Sequence, residues 1–405
     1  MDMDHNENPY PETVEEQQEE YVDINEVSQV VDTNEQDAQP IEDDEADTEM
    51  AVDGGEGSSM QEEIDFVDDS VQGFFTHKEP VYCVAFHPTE HHVVMTGGGD
   101  DKAYVWRIDT GEQVYEFAGH SDSVTSAKFS ADGKYAATGG MDGRVKIWNI
   151  GDGSLLNTLE GPDEVVWIDW HPVGPVIIAG ASDGTVWMWH GVTGACMNVF
   201  AGHNGPVTCG QFTHDGKKIV TASEDCSLIV WDPKTATAIV KVTGDDARFH
   251  QDPISCLAIN KDDTLIITGS ADSTARLINL QSGNILGSLE NHEEAVEAVG
   301  FCDTLPIVAT GSIDGKISIW DVTTMRLRGH CQHDDTVIQL KWHKNSHMFT
   351  TCSADRTVRV WDARTGNCEH KFQGHEDSVL AFDLSYDGHV TVTGSDDGVA
   401  LVFNW

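Results

Sequence analysis

Basic residues are scarce, and none precedes Lys78. The chain holds 23 Lys and Arg against 70 Asp and Glu, a formal charge of −47. Residues 1–69 carry 26 of the acids, which leaves 44 acids and all 23 bases, a net −21, for residues 70–405. Both parts repel phosphate, so direct binding of nucleic acid or an anionic membrane is not expected, and a cationic protein partner is the natural complement. No apolar run reaches about 18 residues, so no membrane span is expected. The start, Met1 to His5, has neither a positive region nor an apolar stretch, and no secretory leader is expected. The nine cysteines are odd in number and form no Cys-x-x-Cys pair, which fits a reduced cytoplasmic or nuclear setting. A phosphate-cradling glycine loop, a nucleophile–base spacing and a metal-ligand cluster are also missing. No catalytic residue, cofactor or metal is therefore expected.

What the chain has is one phrase written eight times. An Asp recurs at Asp100, Asp142, Asp183, Asp225, Asp272, Asp314, Asp355 and Asp397, at spacings of 41 to 47 residues. Six residues later stands a large apolar residue: Trp106, Trp148, Trp189, Trp231, Ile278, Trp320, Trp361 or Phe403. Four residues before the Asp comes Thr96, Thr138, Thr221, Thr268, Thr310, Thr351 or Thr393, with Ala179 the exception. Twenty-two residues before it (23 in the first copy) comes His77, His120, Gly161, His203, His250, His292, His333 or His375. A period of about 40–45 residues framed by these signals marks a β-propeller blade. Cys83, Cys209 and Cys256 share one slot of this repeat, which reads as a small-residue position.

The chain divides into an acidic tail, 1–69, and a ring of eight repeats, 70–405. The tail is rich in Glu, Asp, Gln and Ser and is expected to be disordered. Tyr21–Val31 and Ile64–Val67 are its less polar stretches and read as short binding motifs or as plain tail. Each repeat offers strand-length runs, such as Val124–Phe129, Tyr135–Thr138, Val145–Trp148 and the outer Leu155–Leu159. The last repeat ends without an outer strand, while Val71–Phe75 aligns with the outer segments Val114–Phe117 and Met197–Phe200. The fold expected is all-β, an eight-bladed propeller closed by that N-terminal strand, and a monomer.

A buried indole N–H and a buried carboxylate both need partners. Trp, Thr, His and Asp of one repeat can supply them in series, an arrangement that resembles the structural tetrad of the WD-repeat family. The complete sets are His77, Thr96, Asp100 and Trp106; His120, Thr138, Asp142 and Trp148; His203, Thr221, Asp225 and Trp231; His292, Thr310, Asp314 and Trp320; and His333, Thr351, Asp355 and Trp361. Repetition around a ring is a requirement of the fold rather than of an active site.

In that family one face of the ring is made by the loops after each His and before each Asp. Side chains alternate along a strand, so positions one, three and five after the His share an outlook. With the residue before each Asp they give Glu164, Glu224, Glu293, Glu297, Asp334, Glu376 and Asp396, and the apolar Tyr82, Met141, Val166, Ile313, Ile338 and Leu380. Lys78 is their only base. Acids interleaved with apolar groups suit a basic peptide with hydrophobic anchors. The second position after the His is acidic in seven copies, as in Asp122, Glu294, Asp335 and Asp377, and serves a turn or a partner equally. The third repeat carries Trp167, Trp170 and Trp187 beside its degenerate tetrad; they refill lost volume or form an aromatic anchor. An insertion, Gly244–His250, enters the fifth blade.

The stretches Thr96–Arg107, Asp169–Pro172 with Trp187–Trp189, and Thr351–Ser353 with Val360–Gly366 resemble the angio-associated migratory cell protein family. The resemblance covers tail and ring, and the third-repeat tryptophans are its most specific part. It implies a protein-binding ring. Fungal members are chaperones of a basic large-subunit ribosomal protein of the L10/L16 type, and animal members are associated with migration and angiogenesis. The chain lacks an acidic insertion between the fifth and sixth repeats that vertebrate members carry. Three functions stay open here: an escort for a basic ribosomal protein, a signalling or cell-migration scaffold, and a substrate receptor of a cullin ligase. The last rests on Trp361-Asp362-Ala363-Arg364 alone, a match to the Trp-Asp-x-Arg pattern of such receptors.

Overall fold

Gly, Asp and Asn cut the repeat into apolar runs too short for helices, and each run becomes a strand. The computed structural model describes residues 67–405. The expected acidic tail lies outside the described residues up to position 66, and so do Tyr21–Val31 and all of Ile64–Val67 but its last residue. Within the described residues, eight four-stranded antiparallel sheets follow one another, one per repeat. Blade two is typical, with strands Val124–Phe129, Tyr135–Gly140, Arg144–Asn149 and Leu155–Glu160. Its second and third strands lie between neighbouring blades and are buried almost throughout. The outer strand faces solvent, and only Leu159 of it is buried.

Seven blades are built from consecutive strands, and the eighth is not. Strand β1 (Gln72–Phe74) adds antiparallel to β32 (Ala400–Asn404), with Gln72 opposite Val402 and Phe74 opposite Ala400. The Val71 N–H donates to the Val402 carbonyl at 2.8 Å. Asp69 is tied as well: its N–H reaches the Gln373 carbonyl at 2.8 Å, and its carboxylate accepts the Gln373 N–H at 3.0 Å. The closing strand is the expected one. It removes an edge that would otherwise offer unpaired backbone groups.

The seam this closure creates is built like an interior one. A Cβ on Gly394 of blade eight would stand 2.5 Å from the Val81 side chain of blade one. The same approach, 2.7 Å, holds between Gly139 and Val165 at the seam of blades two and three. Each seam buries its own apolar cluster. At the closing seam that cluster includes Phe74, Val81, Trp106 and Val402. Among the described residues no helix is long and apolar enough to cross a membrane.

Candidate functional site

The acidic face is assembled from the tetrads upward. In blade seven the Trp361 indole donates to Thr351 at 2.8 Å, Thr351 and His333 Nε2 are 2.7 Å apart, and His333 Nδ1 lies 2.8 Å from Asp355. The threonine already accepts from the indole, so its own hydroxyl donates to Nε2 and Nδ1 carries the imidazole proton. Blade two repeats the series at 3.0, 2.9 and 3.0 Å. Blade four closes it with Ser227 inserted 2.8 Å from His203 Nδ1.

Two tetrads depart from the expected series. In blade one the Trp106 N–H reaches no acceptor, its ring lying flat on Phe74 instead. In blade six His292 Nδ1 is 3.4 Å from Asp314 and lacks hydrogen-bond geometry. There Asp314 is held by the N–H groups of Glu293 and Lys316. The shortened sets of blades five and eight keep His250–Thr268 and His375–Thr393 at 2.8 and 2.7 Å.

Burial alone would raise the Asp355 pKa, but bonds from His333, Thr357 and the Asp334 N–H outweigh it and hold the carboxyl well below the usual range. Asp142, Asp225 and Asp397 behave alike. Burial pushes His120 and His333 down despite their Asp neighbours. The His120–Asp142 and His333–Asp355 pairs are thus neutral imidazoles donating to ionised carboxylates.

These carboxylates also aim the face. Asp314, Asp355 and Asp397 accept the backbone N–H of Glu293, Asp334 and Glu376, at 3.0, 3.1 and 3.0 Å. The fold requirement therefore fixes where these three acids stand. The second acid is partly a turn device. Asp122, Asp335 and Asp377 each accept the next residue's N–H at 2.7–2.8 Å.

The fifth position after the His is a β-bulge. The pairing register slips there in seven blades, at Tyr82, Thr125, Val166, Ser255, Glu297, Ile338 and Leu380. A bulge re-aims its side chain, and three of the hydroxyl-bearing positions latch neighbouring blades. Thr125 donates to the Val165 carbonyl at 2.8 Å, Thr208 to that of Ile254 at 2.6 Å, and Ser255 to that of Val296. The apolar bulge residues Tyr82 and Val166 are exposed, as are Met141 and Ile313 before their Asp, while Ile338 and Leu380 are half-buried.

The acids divide into free and committed groups. Glu164, Glu224, Glu376 and Asp396 are exposed, with no Lys, Arg or His within ion-pair distance among the described residues. Asp334 is bound by Arg359 at 2.7 Å, and the same guanidinium reaches Asp355 at 2.8 Å. Lys316 stands 3.9 Å from Glu293. Glu297 is half-buried, and that burial raises its pKa. Sequence reasoning missed Lys316 and Arg359 as members of the face. Their signal was their place two and four residues after the repeat Asp, on the strand that leaves the loop.

The third blade replaces its tetrad with another network. Trp187 donates to Thr185 at 2.9 Å, and Thr185 donates to Asp183 at 2.6 Å. The Trp187 ring covers Gly161, where a Cβ would lie 2.4 Å from it. Trp167 donates to the Val207 carbonyl at 2.9 Å and fills the seam between Gly180 and Gly210. Trp170 is buried. Of these rings Trp187 occupies the volume that the missing histidine leaves, while Trp167 fills the seam to blade four and Trp170 reaches back to the Lys128 carbonyl. The insertion before blade five likewise buries Phe249 in one cluster with Ile278, the position where most blades carry Trp. Arg364 folds back on Asp362, with contacts of 2.7 and 3.1 Å. Among the described residues no group of three or more His, Cys, Asp and Glu is placed to hold a metal.

Comparison with known proteins gives one pattern. The sequence profile described as "WD domain, G-beta repeat" matches residues 69–107, 111–149, 153–190, 194–232, 247–279, 283–321, 322–362 and 366–404. Angio-associated migratory cell protein of Homo sapiens is 40% identical over 351 residues, covering 83% of this chain and 80% of that protein. Ribosome assembly protein SQT1 of Saccharomyces cerevisiae is 26% identical over 383 residues, 84% of this chain and 88% of that one. Among solved structures, Chaetomium thermophilum Sqt1 bound to the N-terminus of ribosomal protein L10 superposes with a TM-score of 0.79. It shares 29% identity and covers 84% of this chain and 100% of that chain.

Proposed function

This chain belongs to the WD-repeat family and within it to the angio-associated migratory cell protein family, and we propose that it is an escort for a basic ribosomal protein segment. The observation that carries the proposal is the mixed chemistry of one face. Tyr82, Met141, Val166 and Ile313 are exposed beside the unpaired carboxylates of Glu164, Glu224, Glu376 and Asp396. Apolar anchors give affinity once desolvated, while surrounding charge selects the partner and speeds encounter. A cationic peptide with large apolar side chains meets both demands, and masking it keeps it from RNA. The related fungal ring bound to the N-terminus of ribosomal protein L10 supports this reading. The proposal includes a monomeric, non-enzymatic ring that makes no direct nucleic-acid contact, working in the cytoplasm with or without a nuclear stage.

The test is calorimetric titration of the full chain with the N-terminal segment of a ribosomal protein L10, at low and high salt. Binding should weaken as salt screens the carboxylates, and Glu376→Lys with Asp396→Lys should weaken it further. Binding indifferent to both would overturn the proposal.

A further inference from the structure

The first strand of each blade lines the central channel of the ring, and its bulge stands at the channel lip on the acidic face. Along most of the lip, side chains here latch one blade to the next. Thr125, Thr208 and Ser255 at the bulge donate to the Val165, Ile254 and Val296 carbonyls. Cys83 and Trp167, one position on, donate to those of Val124 and Val207. Blades six, seven and eight carry Glu297, Ile338 and Leu380 at the bulge and make no such latch among the described residues.

Glu297 is the one carboxylate in this series. It lies between the buried Val296 and Ala298 and is itself half-buried, so its side chain turns to the channel. Burial is the sole influence on its pKa and raises it, because no donor or cation answers the carboxyl. The strands packed against it supply none. Ile254–Ile259 of blade five brings the Cys256 thiol, which burial keeps neutral. Ile307–Ser312 of its own blade brings no titratable group. Val337–Trp342 of blade seven brings Lys341, which is committed to Asp383 at 3.2 Å. Ile338 and Leu380, at the same position in the next two blades, are half-buried and apolar. A carboxylate short of water and partners, beside an apolar lip, suits a cation carried on an apolar stem.

We infer that Glu297 is the specificity-determining anchor of the ring, which takes one arginine or lysine side chain of the client with its stem along Ile338. Unanswered, the carboxyl holds its proton above the usual carboxylate range, and pairing with the cation sends that proton to solvent. This rests on the escort reading and adds which acid selects the client. The exposed Glu164, Glu224, Glu376 and Asp396 draw it in by charge that salt screens, whereas a desolvated pair is screened much less.

The test is titration calorimetry of the full chain with the N-terminal segment of a ribosomal protein L10, at low and high salt. Two mildly acidic buffers of different ionisation enthalpy report the protons released. Glu297→Gln should abolish the release seen in wild type and weaken binding by at least about tenfold, by the same factor at both salt concentrations. The loss in Glu376→Lys with Asp396→Lys should instead shrink as salt rises. Replacing the bases of the segment by Gln one at a time should single out one whose loss is silent in Glu297→Gln. The inference is overturned if Glu297→Gln keeps the wild-type affinity at high salt, if it still releases the proton, or if every base couples to it alike. A wild-type ring that takes no segment sinks the escort reading and this inference with it. A ring that binds while Glu297→Gln changes nothing sinks this inference alone.

Discussion

Phe74 lies face to face with Trp106, ring centroids 5.0 Å apart and planes 8° apart. Phe74 comes from the closing strand of blade eight and Trp106 from blade one. Phe117 and Trp148 make the same contact between blades one and two, at 4.4 Å and 8°. The N-terminal strand therefore does at the closing seam what an ordinary outer strand does elsewhere. Removing it should cost as much as a core substitution. Phe74→Ala is expected to lower stability by about 3–5 kcal/mol, while Phe75→Ala, whose ring is 71% exposed, should stay within about 0.5 kcal/mol. Urea midpoints of the two variants check this.

The tetrad threonines are not equivalent. Thr351 serves both Trp361 and His333, whereas Thr268 serves His250 in a blade whose Trp position is Ile278. Thr351→Val leaves two buried groups unpaired and Thr268→Val one, at about 1–3 kcal/mol each. The first variant should be the less stable in chemical denaturation.

Restoring the missing histidine of blade three should harm the protein. Gly161 has φ +142°, and a Cβ there would lie 2.4 Å from the Trp187 ring. Gly161→His is expected to destabilise by about 1–3 kcal/mol through overpacking, and Ala179→Thr beside it should not rescue. A melting series of the single and double variants decides.

Acid should weaken the fold through His343. Burial and the nearby His389 depress its pKa to about 4. Between pH 6.5 and 4 the unfolded chain binds a proton that the folded chain refuses, so the His343 contribution to stability falls across that window and levels off below it. His343→Gln should flatten the slope by about one proton's worth, read from denaturation curves at successive pH values. The depressed His120, His292 and His333 keep the remaining slope in place.

At the acidic face, Asp334 should matter less through its own charge than Glu376. Arg359 already neutralises Asp334, while Glu376 has no such partner. Adding Arg359→Gln to Asp334→Ala should restore most of the affinity lost by freeing that guanidinium. Glu376→Ala should weaken a basic peptide several-fold, with the loss shrinking at high salt. Titration calorimetry of the three variants measures both.

Most of the ring was legible because the repeat writes local demands eight times. The strands of blade two, the Thr–His–Asp series and the closure by Val71–Phe75 follow from spacing, since each places a donor near an acceptor within one unit or its alignment. Contacts that cross between units were not legible. No spacing tells that Arg359 turns to Asp334, that the fifth position bulges, or that Phe249 enters the core beside Ile278.

Spacing along the chain set the number of blades, most of the residues that pair inside each, and the sign of the charge. Tertiary structure decided which carboxylates remain free and which tryptophans are fillers rather than anchors. The physical reason is that pairing within a repeat depends on short chain separations. Exposure and neutralisation depend instead on neighbouring blades brought together only when the ring closes.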